Sequence, residues 1–286
     1  MMRIHKLQIA DNGYCLQSYK KYLEELKKTA RDGKDPKCTK CDEYGFLKVP
    51  DDLSFSGRKY SLPTMCDCVI DEKTKISEKI ERIDNLIKTY NLVFGTLDSE
   101  MTLDIFAKRF NQTELINSIK KYLNVGSTMS LYFRGKSGTG KTTMLKMLWQ
   151  IYVINNIKVM YMKASHFEDL HKNLFNQNAK DKDMKSTIDK KIDNAKNADI
   201  IMIDDIDSVG FHYAIDGYYK IFDNIRSGEK TVILTSNKSY DDLLKSLNKK
   251  TDAEYIKGRL TSRLLNLKII EIEMQKFKIK SNKLAS

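Results

Sequence analysis

Apolar positions along this chain follow two different spacings, one in each half. From Leu16 to Thr29, the residues Leu16, Tyr19, Tyr22, Leu23 and Leu26 recur at helical intervals, and Gly33 and Pro36 then end the pattern, which predicts a first helix. Ile76, Ile80, Ile83 and Ile87 form a narrow apolar stripe among Glu and Lys, which predicts a connector helix from Lys73 to Tyr90. Between the two, Pro36 to Val69 loses all periodicity and is too poor in apolar residues to hold a core of its own. Asn91 to Phe110 is again less regular and reads as a domain boundary, after which Asn111 and Glu114 fit a capping box opening a helix to about Leu123.

From there strands alternate with helices. The predicted strands are Met129 to Phe133, Lys158 to Met162, Ile200 to Asp204, Thr231 to Thr235 and Lys268 to Ile272. The predicted helices are Lys141 to Ile154, Ser165 to Phe175 (Ser165 and Glu168 again fitting a capping box), Ser186 to Lys196, Tyr213 to Arg226 and Tyr240 to Leu247. Strands separated by helices imply a parallel sheet covered on both faces. Two domains are expected, residues 1–90 and residues 91–286.

Composition narrows the class. No run of about 18 apolar residues occurs, which argues against a membrane span. Met1 to Ala10 lacks the apolar stretch of a secretory signal, so a cytoplasmic location is expected. The formal charge is +12 over 286 residues, and residues 245–286 carry 11 basic against 4 acidic groups, a candidate surface for a polyanion such as nucleic acid. Five cysteines, an odd number, argue against a disulfide framework.

The strongest chemical signal is Gly135-Lys136-Ser137-Gly138-Thr139-Gly140-Lys141-Thr142-Thr143, which fits G-x4-G-K-[ST] between a predicted strand and a predicted helix. Glycines let such a loop curl until successive backbone N–H groups form an anion nest, and the helix adds its positive end. Lys141 then reaches the β and γ phosphates of ATP, and Thr142 offers its hydroxyl to Mg²⁺. About sixty residues on, Ile200-Ile-Met-Ile-Asp204-Asp205 is an apolar strand that delivers two carboxylates where parallel sheets bind ligands. Asp204 is expected to hold Mg²⁺, directly or through water, and Asp205 to polarise the attacking water. Thr235-Ser236-Asn237 ends the next strand with an amide, Asn237, that could contact the γ-phosphate or orient the water. Arginine is scarce, nine against 41 lysines, so Arg259 and Arg263 in Arg259-Leu-Thr-Ser-Arg263 stand out, and a guanidinium suits the γ-phosphate of a neighbouring subunit.

With these motifs the chain resembles the AAA+ ATPases, and within them the bacterial and phage helicase loaders of the DnaC and DnaI type, over roughly residues 95–275. The resemblance implies an α/β P-loop AAA+ domain, three-layered around a parallel sheet. It also implies Asp204 and Asp205 as the Walker B acids, Asn237 as sensor 1 and Arg263 as an arginine finger through which the protein self-associates. Two departures have consequences. Aspartate at 205 replaces the glutamate of most AAA+ proteins, which suggests slow, switch-like hydrolysis. About 14 residues follow the last predicted strand, so no full helical lid and no C-terminal DNA-binding domain are expected.

Cys38-x-x-Cys41 and Cys66-x-Cys68 place four thiols in two close pairs around 24 intervening residues, a spacing that lets tetrahedral Zn²⁺ organise a short segment without a core. Cys15, far from these pairs, reads as a plain thiol. The cluster is similar to the N-terminal zinc modules of phage loaders, which implies a small helical zinc-binding domain that grips a hexameric replicative DNA helicase. Phe211, His212, Tyr213, Tyr218 and Tyr219 are rings that could stack on single-stranded DNA, although such residues more often pack in a core. The expected function is an ATP-dependent helicase loader in replication initiation. The alternatives weighed are a transposition helper ATPase and a nucleotide-gated adaptor with negligible hydrolysis.

Overall fold

The computed structural model describes residues 15–30, 32–33, 38–39, 66, 70–95, 101–125, 129–176, 182–223, 225, 230–247 and 254–274. The chain divides into two compact units, Leu16–Ser99 and Met1–Cys15 with Glu100–Ser286. Among the described residues no helix is long and apolar enough to cross a membrane.

The smaller unit is built on α1 (Leu16–Thr29) packed against α2 (Glu72–Phe94). Leu16 and Leu23 on α1, and Ile76, Ile83 and Tyr90 on α2, are the buried positions, spaced by sevens along each helix as a two-helix seam requires. Lys20 adds an ion pair to Asp84 at 2.7 Å. Between the helices, β1 (Asp32–Gly33) and β2 (Ile70–Asp71) pair antiparallel, with Gly33 opposite Ile70.

The larger unit begins with α3 (Leu103–Phe110) and α4 (Thr113–Val125) and continues with β3 (Ser130–Arg134), α5 (Lys141–Ile154), β4 (Val159–Lys163), α6 (Ala164–Asn176), α7 (Lys182–Asn197) and β5 (Ile200–Asp204). A 3₁₀ turn (Ile206–Ser208) leads to α8 (Ile215–Asp223), β6 (Thr231–Ser236), α9 (Tyr240–Leu247), α10 (Glu254–Leu265) and β7 (Ile269–Glu273). The five strands form one parallel sheet in the order β4-β5-β6-β3-β7. Every residue of β5 and β6 is buried, as strands covered on both faces must be, whereas β4 and β7 are half-exposed edges. The core runs from Tyr132 through Ile201, Ile203, Val232 and Leu234 to Phe167, Tyr218, Leu243 and Leu260 on the surrounding helices. Because β6 lies between β3 and β5, the loops after all three strands open on one edge of the sheet.

The five-stranded parallel sheet agrees with expectation, each strand within one residue of its predicted bounds. Three local readings need correction. Leu103–Phe110, read as irregular, is a helix whose Leu103, Phe106 and Ala107 are buried at helical spacing. Asn111, read as the start of α4, instead closes α3, with φ 51° and its N–H on the Ala107 and Lys108 carbonyls. Glu168 does not serve a capping box with Ser165: its carboxylate accepts the backbone N–H groups of His212, Tyr213 and Ala214.

Candidate active site

The loop Gly135–Gly140 leaves β3 and turns into α5 through backbone that two glycines make possible. A Cβ at Gly135 would stand 2.5 Å from the Met274 carbonyl oxygen, and one at Gly140, which sits at φ 91°, would stand 2.8 Å from the Phe106 ring. Both distances are too short for any side chain, so glycine is required there. Thr139 is buried and donates its hydroxyl to the Lys136 carbonyl at 3.0 Å, while Lys136, Ser137 and Gly138 stay exposed at the crest of the loop. Thr143 is half-buried in the first turn of α5.

Lys141 is only 6% exposed. Its Nζ donates to the Gly135 carbonyl (2.6 Å), the Lys136 carbonyl (3.2 Å) and Asn237 Oδ1 (2.9 Å). All three acceptors are neutral oxygens. A buried ammonium at the foot of a glycine-rich loop, hydrogen-bonded only to neutral oxygens, is a receptor for an anion. The donor set therefore fits polyphosphate.

Asp204, 1% exposed, ends β5 with three hydroxyls on its carboxylate. Thr142 donates at 2.9 Å to Oδ2, Thr235 at 2.6 Å to Oδ1 and Tyr161 at 3.2 Å to Oδ2. Thr142 and Asp204, in contact across the edge of the sheet, supply the hard oxygens that Mg²⁺ takes. Asp205 follows in the left-handed region, φ 52° and ψ 50°, with its N–H on Thr235 Oγ1 at 2.8 Å. Burial pushes the Asp205 carboxyl above the usual aspartate range, and the charge of Asp204 adds to the rise against the opposing Lys141 and Lys163. Asn237 is anchored through its N–H to Asp207 at 3.0 Å.

Lys141 is thus hydrogen-bonded to Asn237, and the next residue, Thr142, to Asp204, with Asp205 following Asp204. Arg263 stands in other company. α10 packs on α8, and Arg263 Nε lies 2.9 Å from Asp223 Oδ1 in the same chain. The Arg259 guanidinium lies 4.3 Å above the centre of the Tyr219 ring and also bonds its hydroxyl. Of the five aromatic rings after Asp205, Phe211 and Tyr218 are buried in the core, and Tyr219 is engaged by Arg259. Tyr213 is 40% exposed, with its ring 5.7 Å from that of Phe175, which is 71% exposed.

In the smaller unit, Cys38 Sγ and Cys66 Sγ are 3.8 Å apart, too far for a disulfide. Cys41 and Cys68 lie outside the described residues, and among those described no three His, Cys, Asp or Glu side chains gather as a metal site. Cys15 is buried and forms no disulfide. Tyr161 and Thr235 were missed as site residues, the first without any motif around it. Thr235 belongs to the stretch that ends in Asn237, and a buried hydroxyl residue on an otherwise apolar strand was the available signal.

Residues 131–259 match the family model described as the ATPase family associated with various cellular activities (AAA). Among solved structures, AMPPCP-bound DnaA from Aquifex aeolicus is similar at 24% identity over 63% of this chain and 52% of that one, with a TM-score of 0.45. DnaI matches at 19% identity over 62% and 92% of the two chains (TM-score 0.44), and the DnaC helicase loader at 17% over 57% and 90% (TM-score 0.39). The chain spans about half the length of several of the solved structures it matches, two DnaA structures and a DNA replication initiation factor. Comparison with curated protein sequences finds no match. Residues 131–259, which bring the phosphate loop, both acids and Asn237 to one edge of a parallel sheet, are an AAA ATPase domain with the P-loop ATPase fold.

Proposed function

We propose that this chain is an ATP-dependent loader that binds a hexameric replicative helicase and delivers it to single-stranded DNA during replication initiation. The observation that supports the ATPase half is the junction of Lys141, Thr142, Asp204 and Asn237 at the ends of β3, β5 and β6, with Asp205 beside them. Lys141 and the Gly135–Gly140 N–H groups would bind the β and γ phosphates of ATP, and Thr142 with Asp204 would hold Mg²⁺. Bound Mg²⁺ neutralises charge on the transferring phosphoryl group. Asp205 polarises the attacking water, and Asn237, released from Lys141 when phosphate takes that ammonium, turns to the γ-phosphate. Aspartate, a methylene shorter than glutamate, fits a slow switch better than a fast motor.

Hydrolysis by this route carries a pH signature. Asp205 must be ionised to act, so turnover is present above its raised pKa and lost as pH falls through it. The acid limb of single-turnover hydrolysis should therefore lie at higher pH than an ordinary aspartate gives. A limb at the ordinary position, or one unchanged in Asp205→Asn, would remove Asp205 from that role.

The loader half rests on the motif resemblance and on the smaller unit. A separation of 3.8 Å between Cys38 and Cys66 is that of two thiolates on one tetrahedral Zn²⁺, since Zn–S bonds of about 2.3 Å put the sulfurs about 3.8 Å apart. Cys38, Cys41, Cys66 and Cys68 would complete the site, and the zinc-stapled unit with α1 would grip the helicase. Cys66→Ser should lose about one zinc per chain by elemental analysis, lose helicase binding and keep nucleotide binding. Metal-free wild-type protein, purified without chelator, would end the zinc reading. The loader itself is tested by co-purification with the hexameric helicase of the host cell. A stable, ATP-sensitive complex is expected; retention of transposition proteins in its place would favour the helper ATPase.

A further inference from the structure

We propose that Thr235 is a positioning residue of the hydrolytic site, whose one hydroxyl sets both acids and ties them to the strand that leads into Asn237. This deepens the Mg²⁺-dependent ATPase reading and rests on it. Thr235 is fully buried near the end of β6, opposite Phe133 of β3, and thus between the strand that feeds the phosphate loop and the strand that ends in Asp204. Its Oγ1 is 2.6 Å from Asp204 Oδ1 and 2.8 Å from the Asp205 nitrogen. The direction of both bonds is fixed by chemistry. An ionised carboxylate can only accept, so the hydroxyl proton points at Asp204; a backbone N–H can only donate, so the hydroxyl oxygen takes Asp205.

Each bond answers a need at the site. Were Thr142 to hold Mg²⁺, Tyr161 and Thr235 would be the hydroxyls left, among the described residues, to orient the Asp204 carboxylate. Asp205 stands at φ 52°, ψ 50°, a left-handed conformation that residues other than glycine adopt seldom and that its neighbours help to hold. The Thr235 bond on its N–H and the Ser208 N–H on its carbonyl at 2.9 Å brace it from both sides. Asn237 follows directly after the last residue of β6, two positions beyond Thr235, so a shift at the end of β6 reaches the sensor and both acids together.

The test compares full-length wild type with Thr235→Val, which keeps the shape and removes the hydroxyl, and Thr235→Ser, which keeps the hydroxyl. Three quantities are read: amide exchange at Asp205 without nucleotide, the Mg²⁺ concentration that half-saturates ATP binding, and kcat with KM. Thr235→Val should speed exchange at Asp205 but not at Ile201–Ile203, raise the Mg²⁺ requirement about tenfold and lower kcat by about tenfold or more, as loss of a hydrogen bond to a charged group implies. KM for ATP should stay within about threefold, because Lys141 is untouched, and Thr235→Ser should return every reading to near wild type. Equal impairment in valine and serine variants, or wild-type exchange and Mg²⁺ dependence in the valine variant, would overturn the proposal. If valine prevents folding, Thr235→Ala carries the same expectations. A wild type that binds ATP with Mg²⁺ yet never hydrolyses it would defeat the ATPase reading alone, and the exchange and Mg²⁺ readings would still decide Thr235.

Discussion

Replacing Lys141 with alanine should weaken ATP binding by about two orders of magnitude, since each charge-assisted hydrogen bond it makes is worth roughly 1.5–3 kcal/mol. The side chain is 6% exposed, and its three present acceptors are neutral oxygens, so no hydrogen-bonded carboxylate competes with phosphate for its charge. Titration of labelled ATP at fixed Mg²⁺ measures the effect. Its specificity can be checked with Lys136→Ala, an exposed residue of the same loop that should bind within about threefold of wild type. An unchanged affinity in Lys141→Ala would displace the nucleotide from this loop.

Removing the Arg263 side chain should have an equally large effect on a different quantity. Arg263→Ala is expected to leave the ATP affinity of the protomer intact, because its partner within the chain is Asp223 and not the phosphate loop. Hydrolysis by the assembled protein should fall about a thousandfold, the scale on which arginine fingers act. For Arg263 to serve a neighbour it must exchange Asp223 for phosphate, so Asp223→Ala should preserve hydrolysis. If the ion pair were the only role of Arg263, Asp223→Ala would instead reproduce the loss. Mixing Arg263→Ala with Asp205→Asn should restore part of the activity, since each intact Asp205 then faces an intact Arg263 across some interfaces. Absence of rescue in mixed assemblies would count against action in trans.

The parts of this protein that were legible in advance are those governed by short-range pattern. Alternation of apolar strands with amphipathic helices placed all five strands of the parallel sheet, because the central strands β5 and β6, buried on both faces, are built around apolar runs. The phosphate loop was legible because its chemistry fixes residue types at a short, fixed spacing, with Gly138 and Gly140 standing at φ 82° and 91°. What could not be read depends on partners far along the chain. α3 has only 8 residues, too few for a periodic signal to stand out, and Phe106 is fixed by packing at Gly140, 34 residues on. Glu168 fits a local capping rule, yet the three amides at 212–214 hold it instead. Aromatic residues after Asp205 look alike in a sequence, and only the fold separates buried Phe211 and Tyr218 from exposed Tyr213. Tyr161 and Thr235 reach Asp204 from 43 and 31 residues away, contacts that no motif records.

Single-turnover phosphate release from ATP by the wild-type protein and by Asp205→Asn, measured beside their ATP affinities, tests the central claim most directly. The account predicts equal affinities, release by the wild type, and release slower by about a hundredfold or more in the variant, the usual scale for losing a general base. Equal release by both proteins, or no release from wild-type protein saturated with ATP and Mg²⁺, would contradict it.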